Sequence, residues 1–210
     1  MNKLSNQRIF EVISRDKEFF KYYLKNYFNR LITNNDRLLK IFLEYLNLKE
    51  TNITNILKLA TSINQESEDE VLRDYDLNLV DVPRGANVYQ KLASILKIYQ
   101  TLWKDLPKLE KEALLNIYLT RSQLFKKNNE LICFLILISN LIKNYYPPII
   151  IEDKKKYYQI IKLGDALKLA EELANNAENE INIIIKTYKE YYLFPANVSI
   201  EEILIQKTIY

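Results

Sequence analysis

Few side chains in this sequence could carry out catalysis near neutral pH. Its 210 residues include no histidine, which removes the commonest general base, a frequent metal ligand and every triad built on imidazole. Cys133 is the only cysteine and lies inside an apolar run, so neither a disulfide within the chain nor a zinc site of several thiolates can form. We therefore expect no metal, no cofactor and a reducing compartment, the cytoplasm.

Two charged clusters are further candidates for binding chemistry. The acidic run 66–70 lacks the glycine and the fixed spacing of a calcium loop, so a solvated loop is the favoured interpretation. The basic run 154–156 precedes Tyr157 and Tyr158, which could stack on nucleic-acid bases but are better interpreted as tyrosines that pack a helix against the core. The net charge of +3, from 30 basic and 27 acidic residues, is weak for a nucleic-acid footprint.

The composition indicates a helical fold, so the charged clusters are expected to lie on or between helices. Two glycines and five prolines leave too few turn residues for the hairpins of an antiparallel sheet. The longest apolar stretch, 131–142, contains Ser139 and Asn140 and is too short to span a bilayer. It is apolar on all faces, which is typical of a helix surrounded by others. We predict an all-α, single-domain helical bundle with a buried central helix over about residues 129–145, and no membrane partner.

Polar and capping residues divide the chain of 1–210 into four regions. We predict N-terminal helices over 1–63, in which residues 6–32 form either one amphipathic helix or a pair broken near Asp16, and a long loop over 64–86. A helical core then covers 87–175, and C-terminal helices cover 176–210. Helix caps are expected at Thr51, Asn87, Asp153, Asp165 and Ser199.

The region after the predicted central helix contains a Tyr-Pro-Pro turn, an apolar extended piece, a basic residue, a Tyr-Tyr pair and a Gly-Asp pair, in that order. The residues are Tyr146, Pro147, Pro148, Ile149, Ile150, Lys155, Tyr157, Tyr158, Gly164 and Asp165. This series resembles the corresponding region of Fic-domain proteins, the Fic/Doc or Fido family. The interval from Tyr158 to Gly164 is about one helical turn shorter than in the family. The resemblance implies a Fic-like helical fold.

The resemblance also implies where the family's catalytic motif, His-Pro-Phe-x-x-Gly-Asn-Gly-Arg, would lie. The corresponding residues are Gln123, Leu124, Phe125, Lys126, Lys127, Asn128, Asn129, Glu130 and Leu131, so only the Phe and the Asn survive. In the family the His deprotonates the target hydroxyl, and the glycine turn, the helix N-terminus and the Arg hold the nucleotide phosphates. Gln123 has no usable basicity, Glu130 places a carboxylate where phosphate would sit, and Leu131 lacks the guanidinium.

The residues of this loop can also be explained by helix stability, without any ligand. Asn128 is a good N-cap residue, and Glu130 in the first turn of a helix interacts favourably with the helix dipole. Lys126 and Lys127 could keep a residual anion contact, although exposed lysines beside a loop are usually solvated. Residues 61–65 are faintly similar to the Ser-x-Ile-Glu-Gly pattern of the family's inhibitory helix, a match that arises easily by chance.

These losses predict a catalytically inactive Fic-like protein, a pseudoenzyme that acts by binding an unknown protein partner, with nucleotide binding in doubt. The first alternative is a diverged nucleotidyl or phosphoryl transferase that uses carboxylates in place of the missing His base. The second is a helical nucleic-acid-binding regulator, which is open but not favoured. The abundance of Lys, Asn, Ile and Tyr is typical of AT-rich genomes, such as those of some bacteria, archaea and viruses.

Overall fold

The computed structural model describes residues 4–32, 35–77 and 82–208 of the chain, with side chains as far as residue 204. Within these ranges the backbone forms eleven α-helices and a 3-10 turn at Gly85–Asn87. The helices are α1 Asn6–Arg15, α2 Lys17–Leu31, α3 Asp36–Leu46, α4 Ile53–Asn64, α5 Glu68–Val71, α6 Val88–Thr101, α7 Lys108–Ser122, α8 Asn129–Lys143, α9 Lys154–Leu163, α10 Ala166–Tyr191 and α11 Ile200–Thr208. The described ranges contain one strand-like pairing, an antiparallel bridge between Leu72 and Phe125. The all-α prediction is confirmed.

Of the two alternatives for residues 6–32, the structure shows a pair of helices that meet at Asp16. The Asp16 N–H donates to the Ile13 carbonyl at 3.1 Å and closes α1. The Asp16 carboxylate accepts from the Phe19 N–H at 3.2 Å and opens α2. One residue therefore serves as C-cap and N-cap, because its short acidic side chain can reach the free N–H groups of the next helix.

Three of the expected caps are confirmed. Asp153 accepts from the Lys156 N–H at 2.9 Å, Asp165 from the Lys168 N–H at 3.0 Å, and Ser199 from the Glu202 N–H at 3.1 Å. Each of these side chains satisfies a backbone donor that has no partner within its own helix.

The other two expected caps differ from the prediction. The cap of α4 is Asn52, which accepts from the Asn55 N–H at 2.9 Å. Thr51 is buried and donates instead to Asn140 Oδ1 on α8, at 2.6 Å. Asn87 occupies the position before α6 but makes no side-chain cap hydrogen bond. The prediction for Thr51 was wrong because its hydroxyl satisfies a buried amide, a demand visible only in three dimensions.

Helix α8 is the central helix of the fold. Its bounds, Asn129–Lys143, agree with the predicted 129–145, and its side chains from Leu135 to Ile142 are all buried. It ends where Tyr145 adopts a left-handed conformation and the Tyr146 N–H donates to the Leu141 carbonyl at 2.9 Å. None of the described helices has the length and apolarity needed to cross a bilayer.

The segment predicted as a long loop, 64–86, contains more structure than expected. Ser67 and Glu70 form a reciprocal capping box around the single turn α5, an arrangement favoured by the Ser-x-x-Glu spacing. Leu72 then pairs with Phe125. Residues 78–81 of this segment lie outside the described ranges.

Candidate functional site

The loop between α7 and α8, residues 123–128, and the first turn of α8 contain the positions that we expect to correspond to the catalytic motif. Gln123 and Asn128 both have positive φ, 46° and 55°, and Asn128 occupies a motif position where the family has glycine. The Asn129 amide closes the loop from within, because its Oδ1 accepts from the Phe125 N–H at 3.2 Å and its Nδ2 donates to the Thr120 carbonyl at 3.4 Å. The two residues shared with the family motif therefore contact each other.

Gln123 lies at the position aligned with the family's catalytic base. Its side-chain Nε2 donates to the Thr120 carbonyl at 2.9 Å, which caps the C-terminus of α7. Its backbone carbonyl accepts from Arg73 Nε at 2.9 Å. The amide is neutral near pH 7 and bonded to its own helix, so it offers no proton acceptor of useful basicity to a substrate.

Glu130 places a carboxylate on the first turn of α8. The Tyr158 hydroxyl donates to Glu130 Oε2, and burial together with this carboxylate raises the pKa of Tyr158. The N-terminus of a helix attracts negative charge. In this chain a side chain of α8 itself supplies that charge, so an incoming phosphate would meet electrostatic repulsion.

The two lysines of the loop are paired with carboxylates. Lys126 Nζ lies 3.1 Å from Asp74 Oδ2, and Lys127 Nζ lies 2.6 Å from Glu66 Oε1. The Lys126 contact lowers the pKa of Asp74, and the Glu66 contact raises the pKa of Lys127. A phosphate would have to compete with both acids for these cations.

The preceding segment, residues 64–77, forms hydrogen bonds with the loop. Asn64 Nδ2 donates to the Lys127 carbonyl at 3.2 Å, and Asn128 Nδ2 donates to Asn64 Oδ1 at 2.9 Å. The Arg73 N–H donates to the Leu124 carbonyl at 2.9 Å. The end of α4, where the faint similarity to an inhibitory helix lies, therefore touches the loop directly.

Arg73 is a residue of this site that no pattern in the sequence indicated. Only 2% exposed, it donates from its guanidinium to the backbone carbonyls of Gln123, Tyr75 and Pro83. Buried cations usually have a hydrogen-bond partner for each donor. Arginine in a polar segment normally indicates solvent exposure, so only the tertiary structure identifies this one as a clamp.

Two cavities share Glu130 and Leu131 in their walls. The larger, about 490 Å³, is bounded by Arg73, Tyr75 and Lys126. The smaller, about 190 Å³, has apolar walls that include Phe134 and carries Lys154. Space for a ligand therefore remains next to the loop, although both loop lysines are paired with carboxylates of the same chain.

The other two predicted clusters have structural roles. In the acidic run, Glu66 pairs with Lys127 and Glu70 accepts from Ser67, and no metal-binding group of three or more His, Cys, Asp or Glu side chains occurs within the described ranges. After the basic run, Tyr157 is buried and donates to Asn116 Oδ1 at 2.6 Å. The interpretation that both tyrosines pack the helix against the core is confirmed for Tyr157 but wrong for Tyr158, which is 36% exposed and donates to Glu130 instead.

No family profile and no curated protein sequence matches this chain, but solved structures do. A Fic domain-containing signalling protein from Bacteroides thetaiotaomicron superposes with a TM-score of 0.58 at 20% identity, over 73% of this chain and 72% of the other. A variant and the unsubstituted form of a Fic-1 fragment from C. elegans give TM-scores of 0.60 and 0.59 at 19% identity, over 74% of this chain. The match covers about half, 51%, of each Fic-1 chain. The fold is Fic-like.

Proposed function

We propose that this chain is a Fic-like protein that has lost nucleotide transfer and acts by binding a protein partner. The observation that carries the proposal is the Glu130 carboxylate on the first turn of α8, bonded to Tyr158. A nucleotide would need its phosphates at this helix terminus, where the chain holds a negative charge of its own.

The state of the neighbouring groups supports the same conclusion. The side-chain amide of Gln123 is engaged with Thr120, and both loop lysines are engaged with carboxylates. The chain would then lack all three functional groups of the family's catalytic motif: the general base, the anion site and the arginine guanidinium. Because such groups act as a unit in catalysis, their combined loss favours a binding role over weak residual activity.

A diverged transferase remains the rival, and one observation favours it. The cavity of about 490 Å³ beside Lys126 is open and could admit a small ligand. A nucleic-acid-binding regulator is less well supported, because Tyr157 is buried and Lys156 is paired with Glu172. The rival enzyme is therefore the alternative to test.

The test is a labelling experiment with the purified chain. Radiolabelled ATP, GTP, CTP or UTP is incubated with magnesium, the chain and a host lysate, and label incorporated into protein is measured. We expect none, and we expect Gln123→His alone to restore none, since Glu130 and Leu131 still occupy the anion site. Transfer by the unmodified chain that disappears in Asn129→Ala would refute the proposal and establish the rival enzyme.

Nucleotide binding can be measured separately from transfer. We expect titration calorimetry to detect no ATP binding to the unmodified chain. Glu130→Gly removes the carboxylate and introduces the residue type of the family motif, so it should increase ATP affinity. Glu190→Gln, which changes an exposed acid on α10 away from the loop, is the matched control. Equal ATP affinity in the unmodified chain and Glu130→Gly would show that Glu130 does not block the site.

A further inference from the structure

The smaller of the two cavities beside Glu130, about 190 Å³ in volume, has mainly apolar walls. Five apolar side chains from the end of α2, from α8 and from the segment before α9 line it, namely Leu31, Ile32, Leu131, Phe134 and Ile151. All five pack against the core and remain half-buried. An apolar cavity of about 150 Å³ is enough to bind benzene, so this cavity has room for an apolar group as large as an amino-acid side chain.

Two opposite charges lie in the wall of the same cavity. Lys154, the first residue of α9, is exposed, and its ammonium group makes no hydrogen bond or ion pair within the described ranges. Glu130 accepts from the Tyr158 hydroxyl through Oε2, and its Oε1 has no such partner in the described part of the chain. The two side chains do not pair with each other. Each of them can therefore bind a charged group of a ligand.

The tyrosines of the cavity wall hold the acid in position. Burial, together with the Glu130 carboxylate, raises the pKa of Tyr158, so its hydroxyl stays protonated near neutral pH and continues to donate to Oε2. Tyr157 donates its own hydroxyl to Asn116 and contributes its ring to the wall. Oε1 of Glu130 is therefore the carboxylate oxygen that a ligand can reach.

The two charges restrict the class of ligand. A ligand whose only charge is negative would be attracted by Lys154 but repelled by Glu130, and a ligand whose only charge is positive would meet the reverse. A zwitterion with an apolar body matches the acid, the base and the walls together. We propose that this cavity binds a free α-amino acid with an apolar side chain, such as leucine or phenylalanine.

In this arrangement the ammonium group of the amino acid donates to Glu130 Oε1. Its carboxylate accepts from Lys154 Nζ, and its side chain contacts Phe134 and Ile151. The proposal does not depend on the loss of nucleotide transfer, because amino-acid binding and label transfer from nucleotides are measured separately. Either can fail without the other.

Titration calorimetry of the full chain with L-leucine and L-phenylalanine tests the ligand class. We expect both to bind. Hydrocinnamate lacks the ammonium group and phenethylamine lacks the carboxylate, so each loses one charge-assisted hydrogen bond and should bind about tenfold more weakly than phenylalanine. N-acetyl-phenylalanine amide, which represents an apolar residue within a polypeptide, should bind more weakly still. Equal binding of this amide, or no binding of either amino acid, would overturn the proposal.

Substitutions in the wall test the two charged contacts. Glu130→Gln and Lys154→Met should each weaken phenylalanine binding about tenfold. Glu130→Gln should not weaken binding of hydrocinnamate, and Lys154→Met should not weaken binding of phenethylamine, because each analogue lacks the group that the lost charge would bind. The matched control is Lys155→Met, at the next exposed lysine of α9 and outside the cavity wall, which should leave the affinity unchanged. Unchanged affinity in Glu130→Gln and Lys154→Met, or an equal loss in Lys155→Met, would show that these charges do not hold the ligand.

Discussion

Individual polar residues in the interior are satisfied by partners that are distant in sequence. Glu112, only 1% exposed, accepts from the Tyr99 hydroxyl at 2.7 Å and from Asn140 Nδ2 at 2.7 Å. These partners are neutral, and burial raises the pKa of Glu112 above its ordinary 4.5. The network joins α6, α7 and α8 but retains a carboxyl group whose ionisation is costly.

Glu112 should make stability depend on pH. A raised folded-state pKa means that the folded chain binds the proton more tightly than the unfolded chain. Glu112 therefore lowers the free energy of unfolding as the pH rises from about 4.5 through the raised pKa. We expect Glu112→Gln to weaken this decline, so that the difference from the unmodified chain grows with pH. Urea unfolding at several pH values measures it, and a difference of opposite slope would show that the carboxylate form is the one stabilised.

The backbone at Asn128 gives a second prediction at this scale. Its φ of 55° is tolerated by asparagine and glycine but costs other residues roughly 1–2 kcal/mol. Asn128→Gly and Asn128→Ala both lose the hydrogen bond to Asn64, so their comparison isolates the backbone. We expect the glycine variant to be more stable by about 1 kcal/mol in urea unfolding. An alanine variant of equal or greater stability would contradict the left-handed conformation.

Among the elements, α8 contributes most to the core. Leu135 is fully buried in the middle of this helix. Leu135→Ala should lower the free energy of unfolding by roughly 2–5 kcal/mol, since it removes buried methyl groups and leaves a cavity. Leu167→Ala, at an exposed position of α10, is the matched control and should change stability little. A stable, monomeric Leu135→Asp variant would refute the central position of α8.

At the scale of the whole molecule, Glu180 links the two ends of the chain. It is buried on α10 and forms an ion pair with Arg30 of α2. It also accepts from the Tyr23 hydroxyl at 2.5 Å, and burial, then Glu180, raises the pKa of Tyr23. These contacts attach the N-terminal helices to the long C-terminal helix.

A double-mutant cycle measures this link. We expect Arg30→Ala and Glu180→Gln to be coupled by about 1 kcal/mol in urea unfolding, because Glu180 is buried while the Arg30 side chain is 36% exposed and partly screened by solvent. The pair of Lys186 and Glu190, 3.9 Å apart and exposed on both sides, is the matched control and should show coupling near zero. Equal coupling in the two cycles would mean that the Arg30–Glu180 pair does not stabilise the fold.

The sequence alone determined the features that depend on local chemistry. The scarcity of glycine excluded hairpins, the apolarity of residues 131–142 identified the central helix, and Asp153, Asp165 and Ser199 were recognised as helix caps. The turn and tyrosine pattern after the central helix led to the Fic-like fold that the solved structures support. Each of these signals lies in the overall composition or in one continuous stretch of the chain, so no knowledge of the tertiary structure was needed.

The tertiary structure alone decided which polar residues meet. Thr51 hydrogen-bonds across the interior to α8, Arg73 clamps the loop after α7, and Asn64 contacts Asn128. The partners in these pairs are 50 to 89 residues apart in sequence, and their residue types are the same as those of ordinary surface positions. Helix packing brings them together, and burial then requires their hydrogen bonds to be satisfied within the chain.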